Sequence, residues 1–268
     1  MMKSTIWESR GILNLKAGKA KFQLSRHLPA QDLCFFVERY WIVSWDLRGQ
    51  EPYVQETLPY PCVNLVFEKD RTAVHGVETG KFARLLEDRG QVFGIKFKPG
   101  GFYPFVKWPI SQLTNNSICF MEVFGFDCKA LEDAILTCED EGEKVALAED
   151  FLRERLPEKD KNVRVINEIV DYIIAHREIT KVEDVVSRFN LSKRSLQRLF
   201  RQYVGVTPKW MIKRYRLHEV AERLAGGELE DWPKMVLELG YSDQAHFIKD
   251  FKMIVGRTPA EYAKLVGG

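Results

Sequence analysis

Leu196-x3-Phe200-x4-Gly205-x-Thr207-Pro208 recurs 51 residues later as Phe247-x3-Phe251-x4-Gly256-x-Thr258-Pro259. Val204 and Val255 also match, as do the basic residues Arg198 and Lys249. Self-similarity at a fixed offset marks a duplicated structural unit. Each copy reads as a helix that stops at glycine, with proline opening the next helix. Glycine takes the left-handed C-terminal position at little cost, and proline's missing N–H is harmless in a first turn.

A shorter helix precedes each copy. In the first it is Val182–Phe189, then the turn Asn190-Leu191, then Ser192 as N-cap. In the second it is Pro233–Leu239, then Gly240-Tyr241, with Ser242 or Asp243 as N-cap. Short helix, tight turn and second helix is helix-turn-helix grammar. The second helix of such a unit protrudes enough to enter a DNA major groove. The expected recognition helices span 192–204 and 243–255.

Spacing separates the faces of these helices. Leu196, Leu199, Phe200 and Tyr203 recur at i, i+3/i+4 and i+7 and should pack inward. Arg194, Gln197, Arg198 and Arg201 follow the same spacing on the other side. Arginine can pair with guanine O6 and N7, and glutamine with adenine N6 and N7; arginine also takes phosphate. The bland alternative is a solvated basic face, and the helix-turn-helix frame favours DNA. In the second unit Phe247, Phe251 and Ile254 should be buried. Gln244, Ala245, His246 and Lys249 are then the outward candidates. Asp243 and Asp250 flank them, so backbone contacts or low selectivity are expected there. His246 is read as a phosphate or solvent contact, not a catalytic group.

Net charge is only +2, and its distribution says more. Residues 162–268 carry 18 Lys+Arg and 14 Asp+Glu, whereas residues 1–161 carry 22 and 24. Ser192–His218 holds Lys193, Arg194, Arg198, Arg201, Lys209, Lys213, Arg214 and Arg216 and no acid. A single-sign stripe on a near-neutral chain is the footprint expected for a phosphate partner.

With 268 residues, two domains are expected, about 1–160 and 161–268. The segment Pro157–Asn162 is polar and reads as the linker. Before it, short apolar runs alternate with turn residues: Arg39–Trp45, Tyr53–Leu58, Cys62–Phe67, Ala73–Val77 and Val92–Phe97. Pro59-Tyr60-Pro61 and Pro99-Gly100-Gly101 bound some of them. This pattern predicts a small antiparallel barrel or sandwich. After residue 110 the pattern turns helical, as in Glu143–Leu156. The fold class is therefore α+β, with a small N-terminal β-barrel-like domain carrying helices and an all-α C-terminal domain.

Several classes are disfavoured. The five cysteines, Cys34, Cys62, Cys119, Cys128 and Cys138, form no CxxC pair. They read as mostly buried thiols in a reducing cytoplasm, not a disulfide frame or zinc site. No apolar run is long enough to span a membrane, and Met1-Met2-Lys3-Ser4 opens no apolar signal core. His27 and His75 are the only histidines before residue 160 and lie in no ligand spacing. No nucleophile elbow, Walker loop or dinucleotide fingerprint is present. Gly100-Gly101 reads as a turn. No catalytic residue, metal or cofactor is expected.

Residues from about 163 to 265 resemble the DNA-binding domain of AraC/XylS-type transcription regulators. The resemblance rests on 191–200 (Leu-Ser-Lys-Arg-Ser-Leu-Gln-Arg-Leu-Phe), Gly205–Pro208, Arg214–Leu217, Gly240–Phe247 and Gly256–Tyr262. It implies two helix-turn-helix units joined by a linker helix, here Pro208–Leu224, placing recognition helices in successive major grooves. It places Lys193, Arg194, Gln197, Arg198, Gln244, Ala245 and Lys249 at base-contacting positions. One departure is valine at 186 and 236, where the family usually has alanine; a larger side chain at a tight crossing would widen the helix angle.

The N-terminal half is similar to the cupin-like sensor domain of some of these regulators. The similarity rests on Phe36–Trp41, Leu58–Phe67 and Gly94–Gly101, and it implies control by a small ligand or by dimer contacts. A barrel mouth is a common ligand site, and Trp41, Trp45, Phe97, Phe102, Tyr103 and Trp108 are the candidate lining, unless they are core and rim. The expected partners are double-stranded DNA, a small-molecule effector, RNA polymerase and a second copy of the chain. The competing readings are a DNA-bound scaffold without effector and an enzyme with a DNA-recruiting C-terminal module.

Overall fold

The protein is described by a computed structural model over residues 18, 20–58, 60–226 and 232–267. The readings on Met1–Ser4 and Pro59 lie outside the described residues. Among the described residues of the N-terminal half eight strands form: β1 (Gln23–His27), β2 (Val37–Asp46), β3 (Tyr53–Thr57), β4 (Asn64–Glu68), β5 (Ala73–His75), β6 (Phe82–Leu86), β7 (Arg89–Phe97) and β8 (Ser117–Cys119). Six of them make one antiparallel sheet in the order β1-β2-β7-β4-β5-β8, and β3 and β6 make a separate ribbon.

No closed barrel is seen among the described residues. Among the described residues the larger sheet is open, with β1 and β8 at its edges. Helices, not further strands, cover its apolar face. These are α1 (Tyr103–Val106), a single 3-10 turn (Ile110–Gln112), α2 (Phe120–Phe124), α3 (Lys129–Thr137) and α4 (Glu141–Arg153). Tyr40, Leu65, Phe67, Phe93, Ile95 and Phe97 from the sheet share one core with Phe120, Ile135, Phe151 and Leu152 from these helices. The strands that the sequence reading missed carry little period-2 signal: β1 is largely polar, β8 has three residues, and β6, Phe-Ala-Arg-Leu-Leu, breaks the alternation.

Asp160 caps α5 (Lys161–Ala175) by accepting from Asn162 N at 2.8 Å. Then follow α6 (Val182–Phe189), α7 (Lys193–Tyr203), α8 (Pro208–Ala225), α9 (Trp232–Glu238), α10 (Gln244–Val255) and α11 (Pro259–Gly267). They build two cores. Val163, Ile166, Ile173, Val185, Leu196 and Phe200 belong to the first. Val236, Phe247, Phe251, Ile254 and Tyr262 belong to the second. Helix α8 serves both: Met211 and Ile212 enter the first core, and Leu217, Val220, Ala221 and Leu224 the second. It is the linker helix that the repeat calls for.

Candidate nucleic-acid interface

The two units are built alike at the backbone. Asn190 (φ 50) and Gly240 (φ 76) turn the chain after the first helix of each. Leu191 N then donates to Val186 O at 3.2 Å, and Tyr241 N to Val236 O at 3.1 Å. The second turn is one residue longer, so Asp243, not Ser242, caps α10, accepting from His246 N at 2.8 Å. In the first unit Ser192 Oγ accepts from Ser195 N at 3.0 Å. Each cap satisfies one N–H that the first helical turn leaves without a partner. Val186 and Val236 are taken into the first and second cores.

Helix α7 buries Leu196, Phe200 and Tyr203 and leaves Lys193, Arg194, Gln197, Arg198 and Arg201 exposed on one face. Lys193 Nζ reaches Glu183 Oε1 of α6 at 2.7 Å. Helix α10 buries Phe247, Phe251 and Ile254 and exposes Gln244, Ala245, His246 and Lys249. Its Asp250 is buried and accepts from Lys213 Nζ at 2.5 Å, with His246 Nε2 3.5 Å from the same oxygen. An exposed carboxylate in the middle of α10 would have opposed DNA. Turned inward and paired, Asp250 instead joins α10 to the linker helix.

The basic stripe of Ser192–His218 is not one continuous surface. Arg214 is 1% exposed and Arg216 3%. Arg216 donates to Ile179 O at 3.0 Å, to His176 O at 2.8 Å and to Ile173 O, closing carbonyls at the end of α5. Burial pulls the Arg214 guanidinium down to about 9. Lys213 is committed to Asp250. The basic residues of the stripe left exposed are Lys193, Arg194, Arg198, Arg201 and Lys209. The reading failed because α8 is packed against both cores and the N-terminal domain, a placement that its mixed spacing does not announce.

The six aromatic candidates do not line one cavity. Trp41 and Trp45 cover Gly94 and Gly90, their cross-strand partners on β7. A Cβ at either glycine would fall within 2.2 Å of the indole. Phe97 and Phe102 are core residues whose rings meet edge-on. Trp108 packs at the margin of that core. Tyr103 turns to the C-terminal domain: its ring lies 4.0 Å from that of Tyr203, and its hydroxyl accepts from Gln202 Nε2 at 2.6 Å. The cysteines also differ from expectation. All five are free, but of them only Cys62 is buried, which raises its thiol to about 12. Cys34 and Cys119 are exposed because they sit on a surface turn and an edge strand.

Contacts that the sequence did not disclose join the domains. Thr114 Oγ1 donates to Gly205 O at 2.6 Å. Arg257 Nη1 donates to Glu56 Oε2 at 2.5 Å, and Lys81 Nζ donates to Glu56 Oε1. Burial raises the Glu56 carboxyl, but Lys81 and Arg257 outweigh it and hold the group below its ordinary value. Leu58 enters the second unit's core. No sequence motif marks Glu56 and Thr114, because their partners in the C-terminal domain lie 201 and 91 positions away in the chain.

Two repeated units with matching turns, caps and exposed second helices define a tandem helix-turn-helix domain. Residues 185–265 match the family model described as a helix-turn-helix domain, and this C-terminal part is a DNA-binding domain of the AraC type. Residues 25–119 match a domain of unknown function (DUF6597).

A Bacillus subtilis (strain 168) protein named as the uncharacterized HTH-type transcriptional regulator YisR is 32% identical over 104 residues, 38% of this chain and 36% of that one. A Haemophilus influenzae protein, named as an uncharacterized HTH-type transcriptional regulator, is 29% identical over 85 residues, 32% of this chain and 28% of that one. The chain thus spans about a third of the length of these two relatives. The probable transcription factor PqrA of Proteus vulgaris is 29% identical over 101 residues, 37% of this chain and 82% of that one. Among solved structures, ToxT from Vibrio cholerae aligns over 92% of this chain and 100% of its own at 12% identity and a TM-score of 0.37. No helix among the described residues is long and apolar enough to cross a membrane.

Proposed function

We propose that the protein is a sequence-specific transcription regulator that lays α7 and α10 in successive major grooves. The observation that carries this reading is the shared exposure of Lys193, Arg194, Gln197, Arg198 and Arg201 on a helix whose opposite face is fully packed. Arg194, Gln197 and Arg198 read base edges, and Lys193 and Arg201 hold phosphates. Gln244, Ala245, His246 and Lys249 contribute less selectivity, since Lys249 is the only full cation among them. It acts in the cytoplasm without catalysing a reaction. Titration of a fluorescent random-sequence duplex pool at several salt concentrations tests it: affinity should fall steeply with salt, as counterions are released. Binding that ignores salt refutes the reading.

Control by a small effector at the N-terminal domain is supported by the direct contacts between that domain and both units. The placement of the six aromatics favours a second reading, a DNA-bound regulator without a ligand at that position. A thermal-shift screen of the full chain separates them, since a cognate compound stabilises by mass action. RNA polymerase and a second copy of the chain stand as partners in either case.

A further inference from the structure

The turn that ends α7 and the turn that ends α10 are equivalent, Gly205-x-Thr207-Pro208 and Gly256-x-Thr258-Pro259. Each is covalently continuous with a recognition helix, so whatever holds the turn holds the helix. Both are held by the N-terminal domain, through different residues. At the first, Thr114 Oγ1 donates to Gly205 O, and a Cβ on Gly205 would lie 3.0 Å from Ile110 O. At the second, Glu56 sits between Lys81 and Arg257, and the Lys81 side chain lies 3.0 Å from the Cβ position of Gly256.

The two holds are also connected to each other. Asn115, next to Thr114, accepts at Oδ1 from Thr79 N at 2.7 Å and from Thr79 Oγ1 at 2.9 Å. Its own N–H donates to Val77 O at 3.0 Å, and Gly76 N donates to Asn116 O at 3.0 Å. Gly76 has no room for a side chain, since a Cβ there would fall 1.9 Å from Leu113 O. The segment 113–116 is thus fastened to 76–79, and Lys81 follows two residues on. A path of hydrogen bonds and ion pairs, linked by the short backbone steps 114–115 and 79–81, runs Gly205, Thr114, Asn115, Thr79, Lys81, Glu56, Arg257. Besides this bridge, Leu58 enters the second core, the Cβ position of Gly240 lies 2.9 Å from Thr180 of the first unit, and the units share α8, whose two halves belong to separate cores.

We propose that this bridge sets the separation and relative orientation of the two recognition helices, so that the N-terminal domain fixes which half-site spacing the protein accepts. The inference rests on the two-groove reading above. Glu56, Lys81, Thr114 and Asn115 are positioning residues that need no contact with DNA. Because the same turn is held in both units, the bridge constrains the distance between them in addition to α8.

The test uses the full chain and a pool of random-sequence duplexes, with bound molecules selected and sequenced. Wild type should recover two half-site motifs at one separation, about 10 base pairs centre to centre. Two variants break the bridge away from the recognition faces. Asn115→Gly keeps the positive φ of 58 and removes the side chain; Glu56→Gln is nearly isosteric and removes the charge. Each should recover the same motifs, with the preference for that separation over its one-base-pair neighbours reduced about 3- to 10-fold. An unchanged spacing preference in folded Glu56→Gln overturns the proposal. So does a uniform rise or fall in affinity at every spacing, which would make the contacts a brake or a stability element only. Wild type that selects a single half-site, or none, overturns the two-groove reading along with it.

Discussion

Tyr103, in the N-terminal domain's helix α1, and Tyr203, at the end of the first recognition helix, face each other with ring centroids 4.0 Å apart. The pair carries polar support on both sides. Gln202 donates to the Tyr103 hydroxyl at 2.6 Å, and Tyr203 donates to Asp160 Oδ2 at 2.7 Å while accepting from Asn162 at 2.8 Å. Burial and the Asp160 carboxylate push the Tyr203 phenol up to about 12. It is therefore a neutral donor throughout the working range. A residue whose neighbours Leu199 and Phe200 serve the first unit's core thus also carries the domain contact.

Removing the Tyr203 hydroxyl tests its bonds to Asp160 and Asn162, which brace the ring that Tyr103 meets. Tyr203→Phe should destabilise the chain by about 0.5–1.5 kcal/mol, the net worth of the hydrogen bonds it makes. Urea unfolding of both proteins measures the difference. The half-site motif selected by the variant should not change, since Tyr203 points away from the exposed face of α7. A variant as stable as wild type would mean that these two hydrogen bonds add nothing net to the fold.

The two recognition helices should respond unequally to truncation. Arg194→Ala or Arg198→Ala should cost about 1–3 kcal/mol on the selected duplex and relax selectivity at one base position. Lys249→Ala should cost less, about equally on all duplexes, and lower the salt slope by about one. Fluorescence anisotropy on the selected duplex and its single-base variants reads both effects. Equal, sequence-specific losses from the two helices would contradict the division of labour.

Much of the C-terminal domain was legible because it is specified locally. Caps, glycine stops and 3.6-residue spacing sit within a few positions of what they determine, and duplication repeats the signal. The side of α7 on which Arg194, Gln197 and Arg198 fall followed from Leu196 and Phe200 alone. Arg214 and Arg216 were misread because charge composition does not report where a helix is packed. Their burial depends on α5 and on the N-terminal domain, which meet α8 only in the folded chain. The open sheet was hidden for a related reason. Alternation found five strands, but barrel closure depends on what pairs with the edges, and short β1 and β8 give no sign of that. Trp41 opposite Gly94 was visible as two residues, not as a pair.

Asp250 should behave as half of a buried ion pair. Asp250→Ala leaves Lys213 in a site where only 24% of its side chain is exposed. The loss should be about 1–3 kcal/mol, less than for a pair shut off from water. Replacing both partners, Asp250→Leu with Lys213→Met, should recover most of it, because no uncompensated charge then remains. Thermal unfolding of the wild type and the single and double variants forms a cycle that reads the coupling. A double variant no better than Asp250→Ala would show that the pair matters through shape, not charge.

The Glu56 contact should make the join between the domains sensitive to acid. Its carboxyl has an ordinary value of 4.5 and is held below that in the folded protein, where Lys81 and Arg257 outweigh the cost of burial. The folded state therefore releases this proton more readily than the unfolded chain does. Its contribution to stability is complete above 4.5 and declines as pH falls through the folded value. Other carboxylates titrate in the same window, so the useful quantity is a difference between two proteins. Wild type should exceed Glu56→Gln in unfolding midpoint by a constant margin from pH 7 down to about 5. The margin should shrink on further acidification, because protonated Glu56 becomes the electrical equal of glutamine. A margin that stays constant to pH 3, or grows as the pH drops, would mean that Glu56 acts there by shape and not by its charge.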